Sequence, residues 1–181
     1  MKPFIGLKKL WYGPVFDADV TATTLKAWIA AASGTEVKNV HGDTWGYTED
    51  DPSTTDYTNA LTGRIYYRDV TQKGAKTVAF TLGEYSFDDK KALQGGDVIK
   101  ENTATVGWKE PETAEVINKG IVAMTKTGNY IVFTNAAIIG KGNFVEKNIG
   151  LGVTAVAMEN PSEGVSGEYW FDGEKVDAAQ G

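Results

Sequence analysis

A mainly β fold, a sandwich or barrel-like sheet with one short flanking helix, is what three features of the sequence predict. From Arg64 onward, runs rich in β-branched and aromatic residues follow one another at short intervals. The 21 glycines are spread through 181 residues without a period, which supplies turns and bulges and is unlike collagen or linker sequence. Segments with helical spacing are few and short. Many strands joined by glycine-rich turns point to a sandwich or barrel.

Residues 5–12 read as a strand that stops at Gly13-Pro14. Residues 24–32 have the best helix propensity, with Leu25, Trp28 and Ile29 on one face, but at this length extended chain stays open. Residues 41–63 are polar and turn-rich and read as a long exposed loop, of the kind that is functional or orders on assembly. Residues 64–70 and 76–82 flank a glycine-containing loop at 71–75 and read as a hairpin, with Val78, Phe80 and Leu82 on one face. Ser86, with Asp89 three positions on, caps a short helix at about 87–94 that Gly95-Gly96 ends.

Further strands are expected at 103–108, 116–125, 130–139 and 151–158, and residues 126–129 should close a tight hairpin between the second and third. Residues 168–171 and 174–176 flank Asp172-Gly173 and read as a short hairpin whose turn uses the left-handed positions that pair supplies. Residues 177–181 should fray. One domain over 1–181 is expected, with an N-terminal arm (1–12), the loop (about 41–63) and a short flexible C-terminal end.

The 41% hydrophobic content is ordinary for a globular chain. The absence of cysteine excludes disulfides, thiolate zinc sites and cysteine catalysis together. A net charge of −6 disfavours tight contact with nucleic acid, though an acidic wall suits nucleic acid that must slide past it. The apolar stretch of a signal peptide is broken at Gly6, Lys8 and Lys9, and no run of apolar residues is long enough for a spanning helix.

Little chemistry assembles from the polar residues. His41 is the only histidine, so a two-histidine metal site is excluded, and its neighbours Gly42 and Asp43 place it at a loop edge. Acidic residues cluster at Asp17/Asp19, Glu49/Asp50/Asp51/Asp56 and Asp88/Asp89, yet 50–56 lacks the glycine and twelfth-position glutamate of a calcium hand. Ser166 sits in no nucleophile elbow, and the glycines make no phosphate-binding loop. No catalytic, cofactor or metal residue is assigned. Trp45, Tyr47 and Tyr57 stand out instead, as aromatics in a polar segment, a pattern favoured in interfaces.

Three stretches carry a family likeness: Phe4-Ile-Gly-Leu-Lys-Lys-Leu-Trp-Tyr12; Val78-Ala-Phe-Thr-Leu82 through Phe87 to Leu93-Gln-Gly-Gly96; and Gly120-Ile-Val-Ala-Met124 with Tyr130-Ile-Val-Phe-Thr-Asn-Ala136 and Leu151-Gly-Val-Thr-Ala155. In this order and spacing the chain resembles the major tail tube proteins of long-tailed bacteriophages and prophages. The alanine-rich 24–32 stretch departs from the pattern. The resemblance implies a structural subunit without a catalytic step. Six copies would close a ring, rings would stack into a tube that carries DNA, and loops and terminal arms would reach the next ring. It also implies a place in the virion tail, with the host cytoplasm before assembly. Partners would be other copies of the chain and tail proteins such as tape measure, terminator and initiator, with no membrane or small-molecule substrate. Phe4, Leu7, Trp45, Tyr47 and Tyr57 are the expected interface residues. A secretion-system tube subunit and a β-sandwich adhesin or carbohydrate-binding module remain as alternatives.

Overall fold

The computed structural model describes residues 1–31, 34–113 and 115–179. In chain order the elements are β1 (Lys9–Gly13), α1 (Ala22–Ala30), β2 (Thr35–Glu36), β3 (Gly46–Glu49), β4 (Ser53–Thr58), β5 (Ile65–Gln72), β6 (Lys76–Leu82), α2 (Phe87–Gln94), β7 (Asp97–Glu101), β8 (Ala104–Lys109), β9 (Ile117–Met124), β10 (Tyr130–Val145), β11 (Asn148–Ala157), β12 (Glu168–Phe171) and α3 (Gly173–Ala178). The fold is mainly β, as expected. Its body is one antiparallel sheet of eight strands in the order β2-β1-β9-β10-β11-β6-β3, with β12 paired to β10.

The 16-residue β10 holds this sheet together by changing partners along its length. Its first residues, 130–133, lie between β9 and β12, and residues 136–145 pair with β11. The change happens at a bulge between Phe133 and Ala136. A bulge inside a buried strand leaves polar groups to satisfy. Here the Thr134 hydroxyl donates to the Ser166 carbonyl at 2.7 Å, and the Asn135 amide donates to the Glu159 carbonyl at 2.7 Å. Thr134 also donates its backbone N–H to Gly167 and accepts from Phe16, so the bulge is tied to both flanking loops.

Strand alternation sorts the apolar side chains into two cores. Leu10 and Tyr12, Ile121 and Ala123, and Ile131 and Phe133 point to one face, with Val78, Phe80 and Leu82 of β6 and Leu93 of α2. Trp11, Val122, Tyr130 and Val132 point to the other, under Leu25 of α1 and Val176 of α3. The first core joins strands well separated in sheet order, so the sheet curls around it. The centre of the sheet is therefore covered twice, which is why 121–124 and 130–133 read as unbroken apolar runs.

The helices are set by local chemistry. Thr21 caps α1 and Ser86 caps α2, each in a reciprocal capping box with the side chain three residues on. The 24–32 segment is thus helical through Ala30, and Phe16 stacks on Trp28 at 4.8 Å beneath it. Residue 32 lies outside the described residues. Three short helices replace the single flanking one expected.

Several expected elements differ. The first strand begins at Lys9, because Gly6 adopts a left-handed φ of 60° and breaks the extended run. Residues 1–8 are not a free arm: Ile5 accepts from the Lys126 N–H at 2.9 Å and Lys2 accepts from the Asn129 amide at 2.6 Å. The 41–63 segment is not a loop throughout, since it contains β3 and β4. Residues 64–70 and 76–82 do not form a hairpin with each other. β3 pairs with β6 and β4 with β5, so 46–82 is one long ribbon that turns at 59–64. Residues 73–75 join its two paired parts, and a Cβ on Gly74 would lie 1.6 Å from the Asp50 carbonyl oxygen. Asp172-Gly173 is not a hairpin turn either. Asp172 caps α3, and Gly173 is needed because a Cβ there would lie 2.0 Å from the Gly128 oxygen. β10 and β11 run past the expected ends through a two-residue turn, Glu146 and Lys147 at φ 47° and 69°. The 126–129 hairpin forms as expected, with the Thr125 N–H donating to the Asn129 carbonyl. The C-terminal stretch is helical through Ala178, and residues 180–181 lie outside the described residues.

Candidate assembly surface

The ribbon splits into a root inside the sheet and a hairpin outside it. In the outer part, β4 and β5 pair only with each other, and every residue of both is exposed. Six large hydrophobics stand on it: Tyr57, Leu61, Ile65, Tyr66, Tyr67 and Val70, from 45% exposed at Tyr57 to 95% at Leu61. Pairing places Tyr67 and Asp69 of β5 on one face, opposite Tyr57 and Thr55 of β4, with the Tyr57 and Tyr67 rings 5.7 Å apart. Arg68 and Val70 take the other face, opposite Asp56 and Thr54, and Ile65 joins them opposite Thr58 because a bulge at Tyr66 shifts the register. There Arg68 grips Asp56 through two bonds of 2.6 and 2.8 Å, which holds the Asp56 carboxyl below its usual range. Both faces thus offer apolar surface and neither has a covering layer.

The root is locked. Glu168, its side chain buried, accepts from the Tyr47 hydroxyl at 2.9 Å and the Trp170 indole at 2.7 Å, and it pairs with Lys76. Burial first, then the Glu168 carboxylate, pushes the Tyr47 hydroxyl well above the usual tyrosine range. The hydrogen bond to Glu168 likewise raises Lys76. Trp170 lies edge-on to Tyr47 at 5.4 Å and meets Phe4 at 4.5 Å. The five expected interface residues therefore separate. Phe4, Leu7, Trp45 and Tyr47 pack half-buried against the first core, and Tyr57 alone is on the exposed hairpin.

Sequence reasoning missed Ile65, Tyr66, Tyr67 and Val70, taking 64–70 for one arm of a hairpin with 76–82. A signal was present. In β6 the apolar residues Val78, Phe80 and Leu82 alternate, whereas Arg68 and Asp69 put a charge on each face of β5.

A second feature lies where the chain crosses from β2 to β3. A cavity of about 430 Å³ has Leu7, Val37, Val40 and Trp45 in its apolar lining and Lys8, Lys9, Lys38 and Lys126 around it. Lys9 pairs with Glu36 at 3.1 Å, while Lys8, Lys38 and Lys126 join no ion pair among the described residues. His41 also lines it and reaches Glu146 at 3.6 Å. Smaller apolar exposures occur on the β7–β8 hairpin, at Ile99 and Val106, and on the β10–β11 tip, at Phe144 and Ile149.

Among the described residues no group of three or more histidine, aspartate or glutamate side chains could hold a metal ion, and no helix is long and apolar enough to cross a membrane. No protein-family profile matches the chain, and no curated protein matches it.

Proposed function

We propose that this chain is a structural subunit that assembles with copies of itself into stacked rings, forming a tube of the phage tail type through which DNA passes. The observation that carries the reading is the β4–β5 hairpin, two strands with apolar residues on both faces and no covering layer in the monomer. An isolated two-stranded hairpin is at best marginally stable in water, and its open edges invite pairing. Such an element gains its stability when another surface covers it. Copies of the same chain supply that surface in a symmetric assembly. The excess of acid over base, −6 overall, suits a channel wall that must not hold DNA. In this reading the subunit works by assembly, carries out no catalytic step and belongs to the virion tail. Negative-stain imaging of the concentrated chain tests it. Hollow tubes or closed rings are expected; solid fibres, or single particles at every concentration, count against it.

A further inference from the structure

We propose that the Tyr57–Tyr67 face of the hairpin docks over the lysine-rimmed cavity of a second copy of this chain. The proposal rests on the self-assembly reading and names the surface that receives the hairpin. Charge is the first argument. Residues 49–72 hold Glu49, Asp50, Asp51, Asp56 and Asp69 against Arg64 and Arg68, five acids to two bases. Two of these acids, Glu49 and Asp56, already have partners in Lys76 and Arg68. Asp50, Asp51 and Asp69 join no ion pair among the described residues. The cavity inverts this balance, with four lysines and one aspartate, Asp43, in its lining. In a chain of net charge −6, copies repel one another over most approaches, and the approach that brings acidic hairpin to basic cavity is favoured.

Shape and polarity agree. Asp69 shares a face with Tyr57 and Tyr67, so a carboxylate and two rings arrive together. The cavity answers with apolar side chains between lysine ammonium groups, whose stems cover apolar surface and whose heads can sit over tyrosine rings. Hairpin and cavity are different surfaces of one chain. Each joined copy therefore keeps one hairpin or one cavity free for the next, the heterologous contact from which rings and stacks are built.

The absence of cysteine makes a direct test possible. Asp69→Cys in one full-length chain is mixed with Lys38→Cys, or with Lys126→Cys, in a second chain carrying a size tag. A control mixture pairs Asp69→Cys with Glu163→Cys, at an exposed site away from the cavity. Under mild oxidation the mixed disulfide should exceed the control by on the order of tenfold, because docking raises the effective thiol concentration. Equal yields at cavity and control overturn the proposal. So does no mixed disulfide from samples that still scatter as particles larger than one chain, and that result leaves self-assembly standing. No disulfide from samples that stay monomeric throughout overturns both.

Discussion

The centre of the sheet and the β4–β5 hairpin are built from similar residue types and have opposite fates. Val122, Val132 and Phe133 are at most 1% exposed because helices and loops cover the sheet from both sides. Tyr66, Tyr67 and Val70 are more than half exposed because β4 and β5 pair only with each other, outside the main sheet. The difference teaches that apolar content alone does not place a strand in a core. The partner on each face does, and for the hairpin that partner is absent from the monomer.

The largest loss of stability is expected at the centre of the sheet. Phe133→Ala should cost about 3–5 kcal/mol, through lost burial and a residual cavity, read as a fall in denaturation midpoint. Tyr66→Ser together with Val70→Ser, on the hairpin, should move stability by no more than about 0.5 kcal/mol per site while reducing particle mass in solution. If the hairpin pair destabilised the monomer as much as the core change, the hairpin would be packed on the body after all.

The root lies between these extremes. Glu168→Ala removes the acceptor of Tyr47 and Trp170 and the partner of Lys76, and about 1–3 kcal/mol of stability should go with these charged hydrogen bonds. The same carboxylate sets a pH dependence. Burial first and then this carboxylate raise Tyr47, and the carboxylate raises Lys76, so the stability they contribute is complete below their ordinary values, near pH 10, and is lost as pH rises through the raised ones. Alkaline denaturation followed by circular dichroism should begin near pH 10, and Glu168→Gln should flatten it. An unchanged alkaline slope in that variant would remove Glu168 as the cause. A loss smaller than at the root is expected for Ser86→Ala, about 1 kcal/mol for one lost helix cap, seen as a modest drop in Tm.

Much of the body was legible in the sequence. The runs at 116–125 and 130–139 announce buried strands, and Ser86 with Asp89 announces α2, because these signals are local. The ribbon was not legible, because its pairing depends on which of two glycine-containing segments turns the chain. Gly63 and Gly74 offer equivalent local signals, and only the register of β3 on β6 decides between them. Asp172-Gly173 misled for a related reason. The pair is common in turns, and here the glycine answers the close approach of Gly128 instead. For the candidate surface, Tyr57 was reachable as an aromatic in polar sequence. Trp45 and Tyr47 share that signal yet pack on the core, since the burial of a side chain at a strand root depends on distant residues such as Glu168 and Phe133.

Deleting residues 51–73 and rejoining Asp50 to Gly74 with a short glycine link removes the hairpin and keeps β3 and β6, whose ends already meet there. Light scattering of this chain beside the full-length one, over a concentration series, reads whether the hairpin drives assembly. A folded variant that stays monomeric while the full chain grows into rings or tubes is the predicted result. Equal particle masses for the two chains at every concentration would contradict it.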